Sequence, residues 1–250
     1  NNGAERLKIK RVTNLGTVGW TNLELSFFGC SNLTEFTVGS TDTSAVTNTQ
    51  AMFASCSGLT NLNLSSLDTS SVTSMDYMVQ NCTGLTTLDV SSFDTSSVLS
   101  MVQTFLNCPL LTSLDVSSFN TSSVAAMYNM FAGCTGLTSL DVSAFVTSSV
   151  SNMRTMFAGC SALTSIVGVE DWDITNLNAT NSLTGFLTGG RMTTAQYDNL
   201  LIKWEPQASV IPAMTAAFGA SEYTGGGAAA TAHASLTDVY GWSIGDGGIA

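Results

Sequence analysis

The residues best suited to chemistry in this 250-residue chain are six cysteines, one histidine and a set of recurring aspartates. Cys30, Cys56, Cys82, Cys108, Cys134 and Cys160 follow one another at intervals of 26 residues. Six thiols first suggest a disulfide framework, a zinc site or a reactive centre. The interval argues against these. Zinc ligands usually come in closely spaced pairs, and the lone His233 cannot complete a set from evenly scattered thiols. If the interval is one coil of a stacked array, equivalent cysteines lie about 5 Å apart, the strand-to-strand spacing. Their Cβ vectors then run parallel, a poor geometry for a bridge. The expected state is a structural core ladder of buried free thiols, packed as small hydrophobes.

A second ladder keeps the same interval: Asn63, Asp89, Asp115 and Asp141. Stacked carboxylates repel one another, so something must moderate their charge. Water, salt and hydrogen bonds from Thr87, Ser113 and Ser139 are one answer. Calcium, a hard cation that takes oxygen ligands, is another, with Asp89, Asp115 and Asp141 as its ligands. The same residues form a candidate partner-binding face. Enzymatic chemistry has little support. The serines and aspartates are repeat positions, His233 lies in an Ala-rich stretch, and the Gly-rich segments lack the Lys and strand context of a phosphate loop. No catalytic residue and no resident cofactor are expected.

The elements that must position these ladders can be read from the coil centred on Cys134. Val124, Met127, Phe131 and Cys134 are separated by 3, 4 and 3 residues, the spacing of one helix face. Thr121, Ser122 and Ser123 precede that stretch as candidate N-caps. Gly136, like Gly58 and Gly84, stands just past the cysteine, where a helix can end with φ > 0. Leu140 and Val142 then alternate with polar residues, a short strand whose Ser139, Asp141 and Ser143 point outward. One coil is thus expected to be helix, turn, strand, turn, and no coil can bury its apolar side alone.

The expected fold class is an α/β repeat solenoid, a leucine-rich-repeat-like right-handed coil of short helix and short parallel strand with caps at both ends. Residues 1–19 form an N-terminal strand and cap, since apolar and basic residues alternate from Arg6 to Val12. Residues 20–190 hold about six 26-residue coils, the first degenerate, with Trp20 where later coils carry Val. After Cys160 one extra residue places Trp172 where the pattern has Phe at 171. Residues 191–250 read as a helix–strand–helix–strand capping module: a helix from Thr193 ended by Pro206, a strand in 208–214, a helix in 225–240 and a strand in 241–245.

Hydrophobic residues make up 44% and charged residues 10%, so the surface is mostly Ser, Thr, Asn and Gly. The net charge of −11 argues against nucleic acid or an anionic membrane as partner. Four of the seven basic residues, Arg6, Lys8, Lys10 and Arg11, lie in the first eleven positions, and none occurs from Val12 to Met153. No apolar run approaches the ~20 residues of a membrane span, so no membrane insertion is expected. Any export signal or anchor is expected to lie outside this sequence.

The run Met130-Phe131-x-x-Cys134-x-x-Leu137-Thr138-x-Leu140-Asp141-Val142-Ser143, continued to Met153, resembles the BspA-like leucine-rich repeats of bacterial surface proteins. The resemblance covers roughly residues 20–187. Tyr197 to Ile202 and Gly241 to Gly248 look like the module that often closes such arrays. It implies a secreted or cell-surface protein, extracellular, binding a protein or glycan of a host or neighbouring cell, with no catalytic residues. Related arrays in phage particles imply the alternative, a structural subunit of a virion or extracellular filament assembling through coil edges or caps.

Overall fold

The computed structural model describes residues 5–178 and 180–250. The 26-residue period becomes a repeat of parallel pairings. Strand β1 (Arg11–Val12) pairs with β2 (Glu35–Phe36). Strand β3 (Asn61–Asn63) pairs with β4 (Thr87–Asp89), Leu62 opposite Leu88. Strand β5 (Ser139–Asp141) pairs with β6 (Ser165–Val167), Leu140 opposite Ile166. On another edge single parallel bridges join Asn48, Ser74, Ser100, Ala126 and Asn152 in succession. Leu62, Leu88 and Leu140 face the core while their strand neighbours are exposed, as the alternation requires.

The expected helices are absent: among the described residues no α-helix precedes Thr194. The reason lies in where the N–H groups go. Met52, Ala54 and Cys56 donate to carbonyls three residues back, closing tight turns. Ala51, Phe53 and Ser55 donate instead to Asp76, Met78 and Gln80 of the next coil. A helix directs its N–H groups within itself and leaves none for a neighbour. The turns demand left-handed backbone at two positions per coil: Ala51 and Ser55, Tyr77 and Asn81, Gln103 and Asn107, Asn129 and Gly133, Thr155 and Gly159 all have φ between 51° and 73°. The 3-4-3 spacing of apolar residues is therefore met by a ribbon of turns.

Two local expectations fail for the same reason. Gly58, Gly84 and Gly136 are not helix ends and do not have positive φ. They are needed because the preceding coil is so close: a Cβ on Gly84 would lie 2.4 Å from the carbonyl oxygen of Ser57. The threonines expected as caps are buried staples instead. The Thr95 hydroxyl donates to the carbonyl of Asn120 at 2.9 Å and accepts from its N–H at 2.8 Å. Thr69 and Thr121 bond the next coil in the same two-way manner.

The core is one continuous cluster that includes all six cysteines. Phe93, Phe119, Phe145 and Trp172 stack nearly parallel, with centroids 6.2 to 6.5 Å apart. Trp172 thus takes the phenylalanine's place despite the one-residue shift. Beyond it, Met153, Thr155, Phe157 and Gly159 donate to residues 29 positions later, where Met127, Asn129, Phe131 and Gly133 donate to residues 25 later, so the next coil carries four extra residues.

The ends differ from expectation in detail. Arg6–Lys8 is a 3-10 turn, which leaves only β1 of the expected N-terminal strand. Helix α1 (Thr194–Trp204) is capped by Thr193, whose side chain accepts from the Gln196 N–H. Glu205–Val210 continues as 3-10 helix, with Pro206 in its first turn, and runs into the start of the strand expected in 208–214. The strand comes later, as β7 (Thr215–Ala217). Then follow β8 (Glu222–Tyr223), helix α2 (Gly227–Ala234) running into a π turn, β9 (Ser243–Gly245) and β10 (Gly248–Ile249). β9 pairs with β7 and β10 with β8, all parallel. No helix among the described residues is long and apolar enough to cross a membrane.

Candidate functional site: two outward edges of the repeat

The six cysteines are buried and unbridged. From Cys56 onward each thiol donates to a carbonyl 29 residues earlier: Cys56 to Phe27, Cys82 to Phe53, Cys108 to Val79, Cys134 to Phe105 and Cys160 to Phe131, at 3.0 to 3.3 Å. Burial pushes every thiol above its ordinary pKa, to about 12 at Cys56 and Cys160. A thiol held protonated and bonded to backbone is a poor nucleophile.

The strand face carries Asn63, Thr87, Asp89, Ser113, Asp115, Ser139 and Asp141, all exposed. Its acids are engaged locally. Asp89 Oδ1 accepts from the N–H and hydroxyl of Ser91, and Asp141 Oδ1 from those of Ser143. Asp115 accepts from the Ser117 N–H and Asn63 from the Ser65 N–H. These serine hydrogen bonds hold Asp89, Asp115 and Asp141 below the usual carboxylate range, although Asp115 pushes its two neighbours slightly the other way. The serines two positions on, rather than Thr87, Ser113 and Ser139, moderate the charge. Among the described residues no three His, Cys, Asp or Glu side chains are placed to hold a metal ion.

The strand ladder also has a break. Residues 113–115 form no strand, although the bridge ladder through Ser100 and Ala126 continues past them. Leu88 and Leu114 are 9% exposed there, against 0–1% for Leu62 and Leu140. The same coil carries Pro109 and Leu110 where its neighbours have a small residue close to the previous coil. A 250 Å³ pocket opens between Asp89 and Asp115.

The turn edge is built differently. Its backbone repeats, but the side chains on it change from coil to coil: Asp76 and Tyr77, Val102 and Gln103, Tyr128 and Asn129, Arg154 and Thr155, of which Val102 alone is buried. Asp76 Oδ1 accepts from the Ser100 hydroxyl and the Val102 N–H. Gln80 donates to Gln103 at 2.8 Å, and the Thr155 hydroxyl donates to Asn129. Partial burial, then the neighbouring Tyr77 phenol and Asp76, push the Tyr128 phenol above its ordinary pKa. Between the last two of these coils lies a groove of 550 Å³ lined by Tyr128, Asn129, Asn152, Arg154 and Thr155.

His233 sits far along the chain, in α2. Its Nε2 is 3.2 Å from Asp246 Oδ2, and its ring stacks on Tyr223 at 4.5 Å. Asp246 Oδ2 also accepts from the Tyr197 hydroxyl at 2.6 Å, and its Oδ1 from the Gly248 N–H. The group ties the C-terminal strands to α1. No serine or cysteine side chain is hydrogen-bonded to the imidazole among the described residues.

A family model described as Mycoplasma protein of unknown function, DUF285, matches the chain twice, over residues 21–113 and 85–189. The two matches together span the repeats from the first coil to the edge of the C-terminal module. The chain belongs to the DUF285 family. No curated protein matches it. In DUF285 terms the matched span is the repeat array itself, and both the turn edge and the strand face lie within it.

Proposed function

We propose that the protein is a non-enzymatic recognition module, displayed outside the cell, whose stacked coils form a solenoid that holds a binding edge rigid. The observation that carries this reading is the contrast between the two edges. On the strand face the same residue types recur and use their hydrogen bonds on their own backbone. On the turn edge an unchanging backbone presents different side chains from coil to coil, including Tyr77, Tyr128 and Arg154. Tyrosine and arginine are the side chains that most often anchor interfaces. The partner is a protein or glycan on a host or neighbouring cell, met by the turn edge in preference to the strand face.

The test is saturable binding of the purified chain to intact cells, with its oligomeric state followed by light scattering. Binding by monomer, reduced by substitution of Tyr77 and Tyr128, supports recognition. Absence of cell binding together with ordered self-association overturns it in favour of a virion or filament subunit.

A further inference from the structure

Arg154 is the one basic residue between Val12 and Gly190, and its side chain is exposed. Every aspartate in the preceding coils lies on the same chain, yet the guanidinium forms no ion pair or hydrogen bond among the described residues. Its own backbone is well held: the Arg154 N–H donates to Asn152 Oδ1 at 2.9 Å, and its carbonyl accepts from the Asn129 N–H at 3.0 Å. Those same contacts fix the groove's amides. Asn152 Oδ1 is taken by the Arg154 N–H, and Asn129 Oδ1 by the Thr155 hydroxyl. In each amide the acceptor is used internally and the N–H donors have no partner among the described residues.

The groove is thus rich in donors and poor in free acceptors. A planar five-donor cation and two amide groups meet beside the half-buried ring of Tyr128. Its 550 Å³ falls within the roughly 300–1,000 Å³ typical of small-ligand sites. The donors ask for an anion with two coplanar oxygens, which a guanidinium binds bidentately. The tyrosine offers a flat face for a ring. No aliphatic side chain lines the groove, and a protein partner would want an apolar centre there. An extended polyanion would in turn meet the repulsion of a chain with net charge −11. A single charged ring avoids both objections.

We propose that the groove between Tyr128 and Arg154 binds a carboxylated sugar residue, its carboxylate on the Arg154 guanidinium, its ring against Tyr128 and its hydroxyls on the Asn129 and Asn152 amides. This deepens the recognition reading and rests on it.

The test is saturation-transfer NMR on the full chain. The probes are the methyl glycosides of glucuronic, galacturonic and N-acetylneuraminic acids, each against its neutral counterpart or methyl ester. At least one acid should bind, and its neutral form at least about tenfold more weakly. Arg154→Ala and Arg154→Lys should each lose at least about tenfold in affinity, with unchanged thermal melting because the side chain is exposed. Tyr128→Phe should bind as the parent does, and Tyr128→Ala should not. Equal binding of acid and neutral sugars, or an acid whose binding survives Arg154→Ala, overturns the assignment. So does binding of none of the three acids. If the chain still binds cells in that last case, recognition stands and only the ligand class falls; if it binds neither, both fall.

Discussion

At the scale of single residues, the hydroxyl of Thr95 shows how a polar atom can belong in this core. It is fully buried and bonded both ways to the backbone of one residue, Asn120, of the next coil. Replacing it by valine keeps the shape and takes from the Asn120 N–H and C=O their partner in the preceding coil. Thr95→Val should therefore cost about 1–3 kcal/mol in denaturant unfolding, and Thr95→Ser clearly less. The thiol ladder makes a second prediction. Thiols raised above the ordinary value stabilise the fold fully below that value, near pH 9, and the contribution is lost as pH climbs toward about 12 at Cys56 and Cys160. Native protein at pH 8 should thus resist iodoacetamide at all six cysteines, and melting temperature should fall as pH rises past 9. Rapid native alkylation would contradict the burial of these groups. Neither role of the threonine could be read from sequence. A Ser/Thr cluster ahead of an apolar run has the same composition whether it caps a helix or staples a neighbour, and only the coil-to-coil distance separates the two.

At the scale of elements, the strand half of most coils was legible, 113–115 excepted, and the turn half was not. Period-2 alternation has one structural solution, so Leu62, Leu88 and Leu140 face inward as expected. The Phe stack ending on Trp172 was likewise implied by register. The 3-4-3 spacing has two solutions, a helix face and a ribbon of turns. Stacking favours the ribbon because it frees alternate N–H groups for the next coil. Residues such as Asn81, Asn107, Asn129 and Gly133 hinted at this, since Asn and Gly tolerate positive φ better than most. Ala51, Tyr77 and Thr155 concealed it. The close approach of coils gives a direct test: Gly84→Ala puts a Cβ 2.4 Å from a backbone oxygen, so it should destabilise by about 1–3 kcal/mol in thermal or denaturant melts. The break at residues 113–115 gives another. Their amides should exchange with deuterium faster than those of β4 and β5, since no strand pairing protects them.

At the scale of the whole molecule, the two ends are closed by different means. The N-terminal coil is covered by β1 and by Trp20, whose Nε1 donates to the Leu15 carbonyl at 2.9 Å. The C-terminal module is held by Asp246, gripped by Tyr197 on α1 and faced by His233 on α2. Tyr197 is fully buried, and burial, then the Asp246 hydrogen bond, keep its phenol protonated well beyond the ordinary range. Tyr197→Phe leaves Asp246 short of a donor. It should lower stability by about 1–3 kcal/mol and expose the segment after Gly241 to limited proteolysis before the repeats are cut. This clamp joins residues 49 apart and was not legible, because nothing in spacing alone brings Tyr197 to Asp246.

Within the repeats the bridging bonds have a short reach. The strand pairs, the bridge ladder, the threonine staples and the thiol bonds connect residues 25 to 29 apart and join only one coil to the next. Under tension applied at its ends, such an array has no long tie to break first. It yields coil by coil, each release adding about 90 Å of extended chain. The coil of residues 113–115, where β4 has no strand partner on its far side, is the natural place for the first step. An array of this kind gives way gradually and can re-form when the load falls.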